Sequence, residues 1–222
     1  MAHPLSGLLY QFRRVAESSR WLVLGAAERA AALLLVAALA PVLGIIALVI
    51  WLLARRPPLV CHLRVGRQGH PFWMLKFRTM WNSEPRIAGG SRLVEFVRQE
   101  PGLTRKNPHD PRIRSRFARF CRRYSIDELP QLLHVINGSM SLVGPRPLTR
   151  SELRSHYGPH AKEVLEVKPG ITGLWQVMGR NRLTYRQRSR LDLFYVRRRS
   201  VGLYVAILAR TIPHVLSGKD SW

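Results

Sequence analysis

Acidic side chains are scarce in this chain: Asp and Glu number 13, against 36 Lys and Arg. Any chemistry that needs a carboxylate or a hard divalent cation must choose among those 13, and only Asp127 and Glu128 are adjacent in sequence. Cysteine is almost missing. Cys61 and Cys121 cannot build a disulfide framework, so reduced, cytosolic surroundings are expected. Internal repeats and low-complexity linkers are absent. The 222 residues therefore read as one compact domain with a short extra segment.

The acid shortage leaves a formal charge of +23, which calls for an anionic partner. Nucleic acid, an anionic membrane surface and phosphate-rich substrates all fit. Nearly all of the charge is arginine, whose planar fork suits phosphate oxygens; a GC-rich genome that favours arginine codons is the bland alternative.

From Ala30 to Ala54 the chain is apolar and uncharged. As a helix this stretch would reach roughly 37 Å, enough to cross a bilayer. It is too long for a secretory signal and no clear cleavage site follows. Pro41 lies near its middle, where a proline usually kinks a helix. Arginines flank it on both sides: Arg13, Arg14, Arg20 and Arg29 before, Arg55, Arg56, Arg64 and Arg67 after. Positive flanks belong in the cytoplasm. A helix broken at Pro41 that enters and leaves on one face satisfies both; an ordinary kinked span is the other reading.

Beyond Pro57-Pro58 the pattern changes. Leu59 to Met80 is β-like, with a turn from Val65 to Pro71. Asn82 to Asn107 is polar, with one short helical stretch expected around Leu93 to Gln99. Phe117 to Tyr124 is basic and aromatic. Leu129, Leu132, Leu133 and Ile136 follow helical spacing, and Asn137-Gly138 is a helix stop. Leu191 to Leu216 mixes apolar residues with arginine, the pattern of an amphipathic helix on a membrane surface or closing the core.

Four peptides carry candidate chemistry. In Ser125-Ile126-Asp127-Glu128-Leu129-Pro130-Gln131 a helix start is expected, with Pro130 tolerated in its first turn. There a carboxylate meets the positive end of the helix dipole, and Arg122 and Arg123 act in the same sense. An ionised, partly desolvated Asp can attack phosphorus, and a neighbouring Glu can hold Mg²⁺ against a diphosphate. A Ser125–Glu128 capping box is the structural alternative. In Lys76-Phe77-Arg78-Thr79-Met80, a strand would point Lys76 and Arg78 together, as a diphosphate clamp or as a solvated face. In Ser141 to Pro147, Pro145 and Pro147 fix the backbone around Arg146, which then loses less entropy on gripping an anion; a plain turn is the alternative. Lys168 to Gln176 reads as a loop whose glycines allow close backbone approach, with Trp175 at a lipid interface, against a base or in the core.

Together these peptides resemble the bacterial sugar transferases, the monotopic polyprenyl-phosphate phosphoglycosyl transferases. The resemblance covers about residues 28 to 222 and rests on order and spacing. It includes the Pro-broken apolar helix, Arg64-Val65-Gly66, Lys76 to Met80, Asp110-Pro111-Arg112, Asp127 to Gln131, Met140 to Pro147 and Lys168 to Gln176.

The resemblance implies an α/β catalytic domain with a small sheet and amphipathic helices, held on the cytosolic face of the inner membrane by a re-entrant helix. The corresponding boundaries are a basic segment over 1–27, the membrane helix over 28–56 and the catalytic domain over 57–222. Asp127 would attack the β-phosphate of a UDP-sugar, release UMP and form a phosphosugar-aspartate. A polyprenyl (undecaprenyl) phosphate would then take the sugar phosphate. Glu128 would bind Mg²⁺, and Lys76, Arg122 and Arg146 would hold phosphates.

The chain departs from the family pattern at Ala40, where Ser is usual before the proline, at His134 for Asn, and at Ala118 for Gly. The missing serine hydroxyl puts the form of the bend in question. Nucleic acid is not expected as a partner, because the basic residues lie in every segment and no nucleic-acid motif is present. A non-catalytic scaffold or nucleotide-sugar-binding relative is the other alternative, which the intact Asp127-Glu128 pair opposes. The sequence leaves open the sugar and assembly into a homo-oligomer.

Overall fold

A computed structural model of the chain describes residues 4–80, 86–98, 113 and 115–218. The Asp110-Pro111-Arg112 motif lies outside the described residues. The apolar segment is the C-terminal part of one long helix, α1 (Pro4–Ala54), with Pro41 inside it. Pro41 cannot donate to the Ala37 carbonyl, yet the chain is helical on both sides. Among the described residues, Ser19–Ala54 is the one helix long and apolar enough to cross a membrane.

The covered positions of α1 form one stripe at helical spacing. Trp21, Leu24, Glu28, Ala32 and Val36 precede the proline, and Leu43, Ile46, Ala47 and Ile50 follow it. Ala32 joins a core cluster with Met74, Leu132, Val135 and Met140, while Ile46 and Ile50 join Phe77. Both sides of Pro41 therefore rest on the rest of the protein, whereas Leu33, Leu34, Leu35, Val42, Ile45 and Leu48 are exposed. Buried Glu28 fastens the helix: its carboxylate accepts from the hydroxyls of Ser141 and Tyr204 and from the Leu142 N–H at 2.9 Å.

Strands β1 (Leu59–Val65) and β2 (Pro71–Phe77) form the expected hairpin, paired from Leu59↔Phe77 to Val65↔Pro71. Strands β3 (Arg86–Gly90) and β4 (Val94–Arg98) complete a four-stranded sheet of order β2-β1-β4-β3, in which β1 and β4 are parallel. The helical stretch expected from Leu93 to Gln99 is thus corrected to strand through Arg98. Val94, Phe96 and Val97 are good strand formers, and pairing on both sides overrides the local spacing.

Helix α2 (Arg116–Arg123) is capped by Ser115, whose hydroxyl accepts from the Phe117 N–H at 3.1 Å. A 3₁₀ helix over Ile126–Gln131 leads into α3 (Leu132–Ile136), which stops at Asn137-Gly138 as its spacing predicts. Strand β5 (Ser141–Val143) follows, then the short helices α4 (Arg150–Glu152) and α5 (Ala161–Val164). The segment read as a loop over Lys168–Gln176 is ordered structure: strand β6 (Gly170–Thr172), parallel to β5, then helix α6 (Leu174–Met178).

The last mixed stretch is two helices, α7 (Tyr185–Arg198) and α8 (Val201–Ser217), broken where the Ser200 hydroxyl caps α8. Their inner faces supply Tyr195, Val196, Tyr204 and Ile207 to the main core with Tyr157, Val164 and Leu174. The fold is helix-rich, with a small sheet and one long apolar helix.

Candidate active site

Two loops meet through glycine. A Cβ on Gly144 would lie 2.5 Å from the Lys168 carbonyl oxygen, and side chains on Gly170 or Gly173 would strike the Gly144 backbone. The close approach read from the glycines is therefore between two of the candidate peptides themselves, and it sets the position of Arg146 between Pro145 and Pro147. The Gly170 N–H donates to the Pro145 carbonyl at 2.8 Å and the Gly144 N–H to Thr172 at 2.9 Å. Gly170→Ala is expected to misfold the site, because its Cβ would fall on main-chain atoms that cannot step aside; low yield and early proteolysis would report this.

The Asp127-Glu128 peptide approaches from the other side. Ser125 adopts a left-handed conformation, φ 56°, at the junction of α2 and the 3₁₀ helix. For a residue with a Cβ this costs about 1–2 kcal/mol, so surrounding contacts must hold it. Arg180 does so, donating to the Ser125 hydroxyl at 2.7 Å. The Ser125–Glu128 capping box does not form; Ser125 makes no side-chain cap bond. The turn instead aims the acid pair inward, and Asp127 is only 9% exposed.

Asp127 and Glu128 line a small polar cleft with Arg122, Arg146 and Arg180, closed by Trp175 and Gln176. An adjoining cleft continues past Glu128, Arg146 and Gln176 to Lys76 at the end of β2. Lys76 Nζ lies 2.6 Å from Glu128 Oε1. Arg146 sits 6.0 Å from the Trp175 ring, which Arg188 covers at 4.7 Å. Trp175 is therefore a core residue with an edge on the cleft, 3% exposed. Five sequence-predicted residues thus converge: Asp127, Glu128, Lys76, Arg122 and Arg146.

Arg78 does not join them. Its guanidinium is buried, donating to the Pro57 carbonyl at 2.8 Å and pairing with Glu95. The clamp expected of it with Lys76 is replaced by a structural ion pair, because Glu95 on β4 offers a partner inside the protein.

The sequence model of the bacterial sugar transferases matches residues 20–218. The chain belongs to the bacterial sugar transferase family. Its relatives include an exopolysaccharide production protein, ExoY, of Sinorhizobium fredii, 40% identical over 72% of this chain and 71% of that protein. A UDP-galactose-lipid carrier transferase of Erwinia amylovora is 44% identical over 72% of this chain and 33% of that protein. An undecaprenyl-phosphate galactose phosphotransferase of Salmonella typhimurium is 42% identical over 72% of this chain. The chain matches about a third of the length of the last two relatives (33% of each).

Behind the cleft this sugar transferase buries a further carboxylate, Asp192 on α7, which single-sequence reading missed. It is 2% exposed and accepts from the Tyr157 hydroxyl at 2.6 Å. Burial pushes it up to about 7, against the opposing pull of Tyr157 and of Arg146, so the charge of this group is tied to an arginine that lines the cleft. The only sequence signal is spacing: Ser189, Asp192, Tyr195 and Val196 share the buried face of a helix rich in arginine.

Two histidines carry the opposite pH dependence. His134 Nε2 accepts from the Leu75 N–H at 3.0 Å, fastening the outer edge of β2, so its ring is neutral there, and burial lowers its pKa. Burial, then Arg64, Lys76 and Arg78, push His62 down to about 3. As pH falls below the unfolded value near 6.5, the unfolded chain takes up protons these native rings refuse, so stability is lost. Asp192 works in reverse: its raised pKa makes the native state the better proton acceptor between about 4 and 7, so stability is lost as pH rises.

Each fully offset proton contributes about 1.4 kcal/mol per pH unit. His134→Asn keeps an acceptor for Leu75 and is expected to flatten the fall in stability below about pH 6.5. Asp192→Asn is expected to steepen the rise in stability with pH across the same window. Thermal melts from pH 5 to 7.5 in detergent check both signs.

Proposed function

We propose that the protein transfers a sugar 1-phosphate from a UDP-sugar to a polyprenyl phosphate by covalent catalysis on Asp127. The convergence of the acid pair, Asp127 buried and Glu128 half-buried, with Lys76, Arg122, Arg146 and Arg180 carries this reading. The printed names of the relatives, a UDP-galactose-lipid carrier transferase and an undecaprenyl-phosphate galactose phosphotransferase, support the donor and acceptor classes.

In the first step an Asp127 carboxylate oxygen bonds to the β-phosphorus. The bond from that phosphorus to the bridging oxygen breaks, and UMP leaves with the electron pair. In the second step an oxygen of the lipid phosphate attacks the same phosphorus and expels Asp127. A lipid diphosphate sugar forms and the carboxylate is restored. One difficult transfer becomes two easier ones, with ping-pong kinetics. Arg122, Arg146 and Lys76 offset the charge that gathers on the phosphoryl oxygens, and the low exposure of Asp127 keeps water from the acyl phosphate.

Mg²⁺ fits this site. Among the described residues no cluster of three or more ligating side chains exists, but Mg²⁺ needs only one or two carboxylates, completed by substrate phosphates and water. Glu128 would hold it, and the ion would neutralise diphosphate charge.

The apolar faces of α1 and α8 are read as membrane contacts. Val205, Ile212 and Leu216 on α8 and the outer residues of α1 are exposed. Contact of both sides of Pro41 with the protein supports a re-entrant α1 that returns to the cytosolic face of the inner membrane.

Purified protein in detergent with Mg²⁺ should release a single burst of UMP from one or more UDP-sugars alone, and should turn over repeatedly only when polyprenyl phosphate is added. A well-folded sample that releases no UMP from any donor sinks the UDP-sugar reading.

A further inference from the structure

Next to the polar cleft is a cavity of about 410 Å³ with mainly apolar walls, a size suited to one ligand. Leu129 and Leu132 come from the nucleophile segment, Ile171 from β6, and Leu208 and Val215 from α8. Ser125, Glu128, Gln176 and Arg180 line both this cavity and the cleft that holds Asp127. The two spaces thus adjoin across a shared wall, polar and cationic on one side and apolar on the other.

The two threonine hydroxyls inside it are already engaged. Thr211 donates to the Ile207 carbonyl at 2.8 Å and is bonded to Thr172 at 2.8 Å. An apolar ligand could fill the cavity without stripping partners from these groups.

We propose that this cavity holds the isoprene units nearest the phosphate of the acceptor lipid, which enters between α8 and the nucleophile turn. The inference rests on the proposed reaction, because a uridine diphosphate sugar has no apolar body to place there and the lipid acceptor does. The shared wall sets the acceptor phosphate beside the guanidinium of Arg180 and within the Asp127 cleft. The exposed apolar residues Ile212 and Leu216 at the end of α8 lead the rest of the chain toward the bilayer.

The test uses the full chain in detergent and separates the two claims. Donor-only UMP burst reports the first half-reaction; its absence from the unsubstituted protein overturns the proposed reaction itself. With the burst present, KM is measured for prenyl phosphates from one isoprene unit to undecaprenyl phosphate. In the unsubstituted protein KM should fall as the first units are added. Val215→Trp, which fills the cavity, should erase that dependence and raise KM for undecaprenyl phosphate at least tenfold, with the burst kept. An unchanged KM profile overturns the cavity assignment.

Where Val215→Trp loses the burst through misfolding, photo-crosslinking of the unsubstituted protein decides. A diazirine on the first isoprene unit should label peptides of α8 or of residues 126–132. Label confined to α1, or labelling of α8 by a diazirine phospholipid that undecaprenyl phosphate fails to displace, overturns it.

Discussion

Asp127→Asn is expected to abolish transfer, lowering turnover by on the order of 10³-fold or more. The amide has nearly the shape of the carboxylate, so the turn from Ser125 to Gln131 and the burial of the side chain survive. What is lost is the anionic oxygen that bonds to phosphorus. Donor affinity should change little, because Arg122, Arg146, Arg180 and Lys76 remain in place around the cleft. The split is therefore in kcat, with KM for the donor held within a few-fold. Exchange of labelled UMP into UDP-sugar without lipid should vanish with the turnover, since both need the phosphosugar-aspartate. Steady-state kinetics and the exchange assay on matched samples with equal melting temperatures check this.

Glu128→Gln is expected to lower kcat by about 10²–10³-fold and to raise the Mg²⁺ concentration needed for half-maximal rate. Two losses combine. A neutral amide oxygen is a poor ligand for a hard cation that takes carboxylate and phosphate oxygen. Lys76, held 2.6 Å from Glu128 Oε1, loses its charged partner and is free to swing onto the phosphates in a different geometry. Titrating Mg²⁺ in the variant separates these. A curve displaced to higher concentration marks the ligand, and a curve merely scaled down marks a positioning role for the Lys76 pair.

The acid pair and the basic side chains around it were legible in the sequence because each sits in a short peptide whose backbone is constrained locally. Asp127 and Glu128 precede Pro130, Arg146 lies between prolines, and Lys76 ends an apolar strand. Their order and spacing, matched to a family, predicted that they meet. The hairpin around Val65–Pro71 and the end of α3 at Asn137-Gly138 followed from turn chemistry alone.

Other features depend on tertiary partners. Arg78 looks the same as Lys76 in a strand register, but Glu95, 17 positions away, claims it. Strand β4 was hidden because five residues are too few for period-two alternation to outvote helical spacing. Arg180 and Gln176 reach the cleft from α6 and the turn after it, and no local pattern marks either as inward-facing. Asp192 was one acid in an arginine-rich helix, indistinguishable in sequence from a surface ion pair until Tyr157 and the core closed over it.

The covalent intermediate is the central claim, and intact-protein mass spectrometry tests it most directly. Mixed with a UDP-sugar and Mg²⁺ in the absence of lipid, the protein should gain the mass of one sugar phosphate. The adduct should map to the peptide containing Asp127, disappear on adding polyprenyl phosphate, and never form in Asp127→Asn. A protein that turns over with lipid, yet carries no adduct and releases UMP only when the lipid is present, would transfer the sugar phosphate directly, and the account given for Asp127 would be wrong.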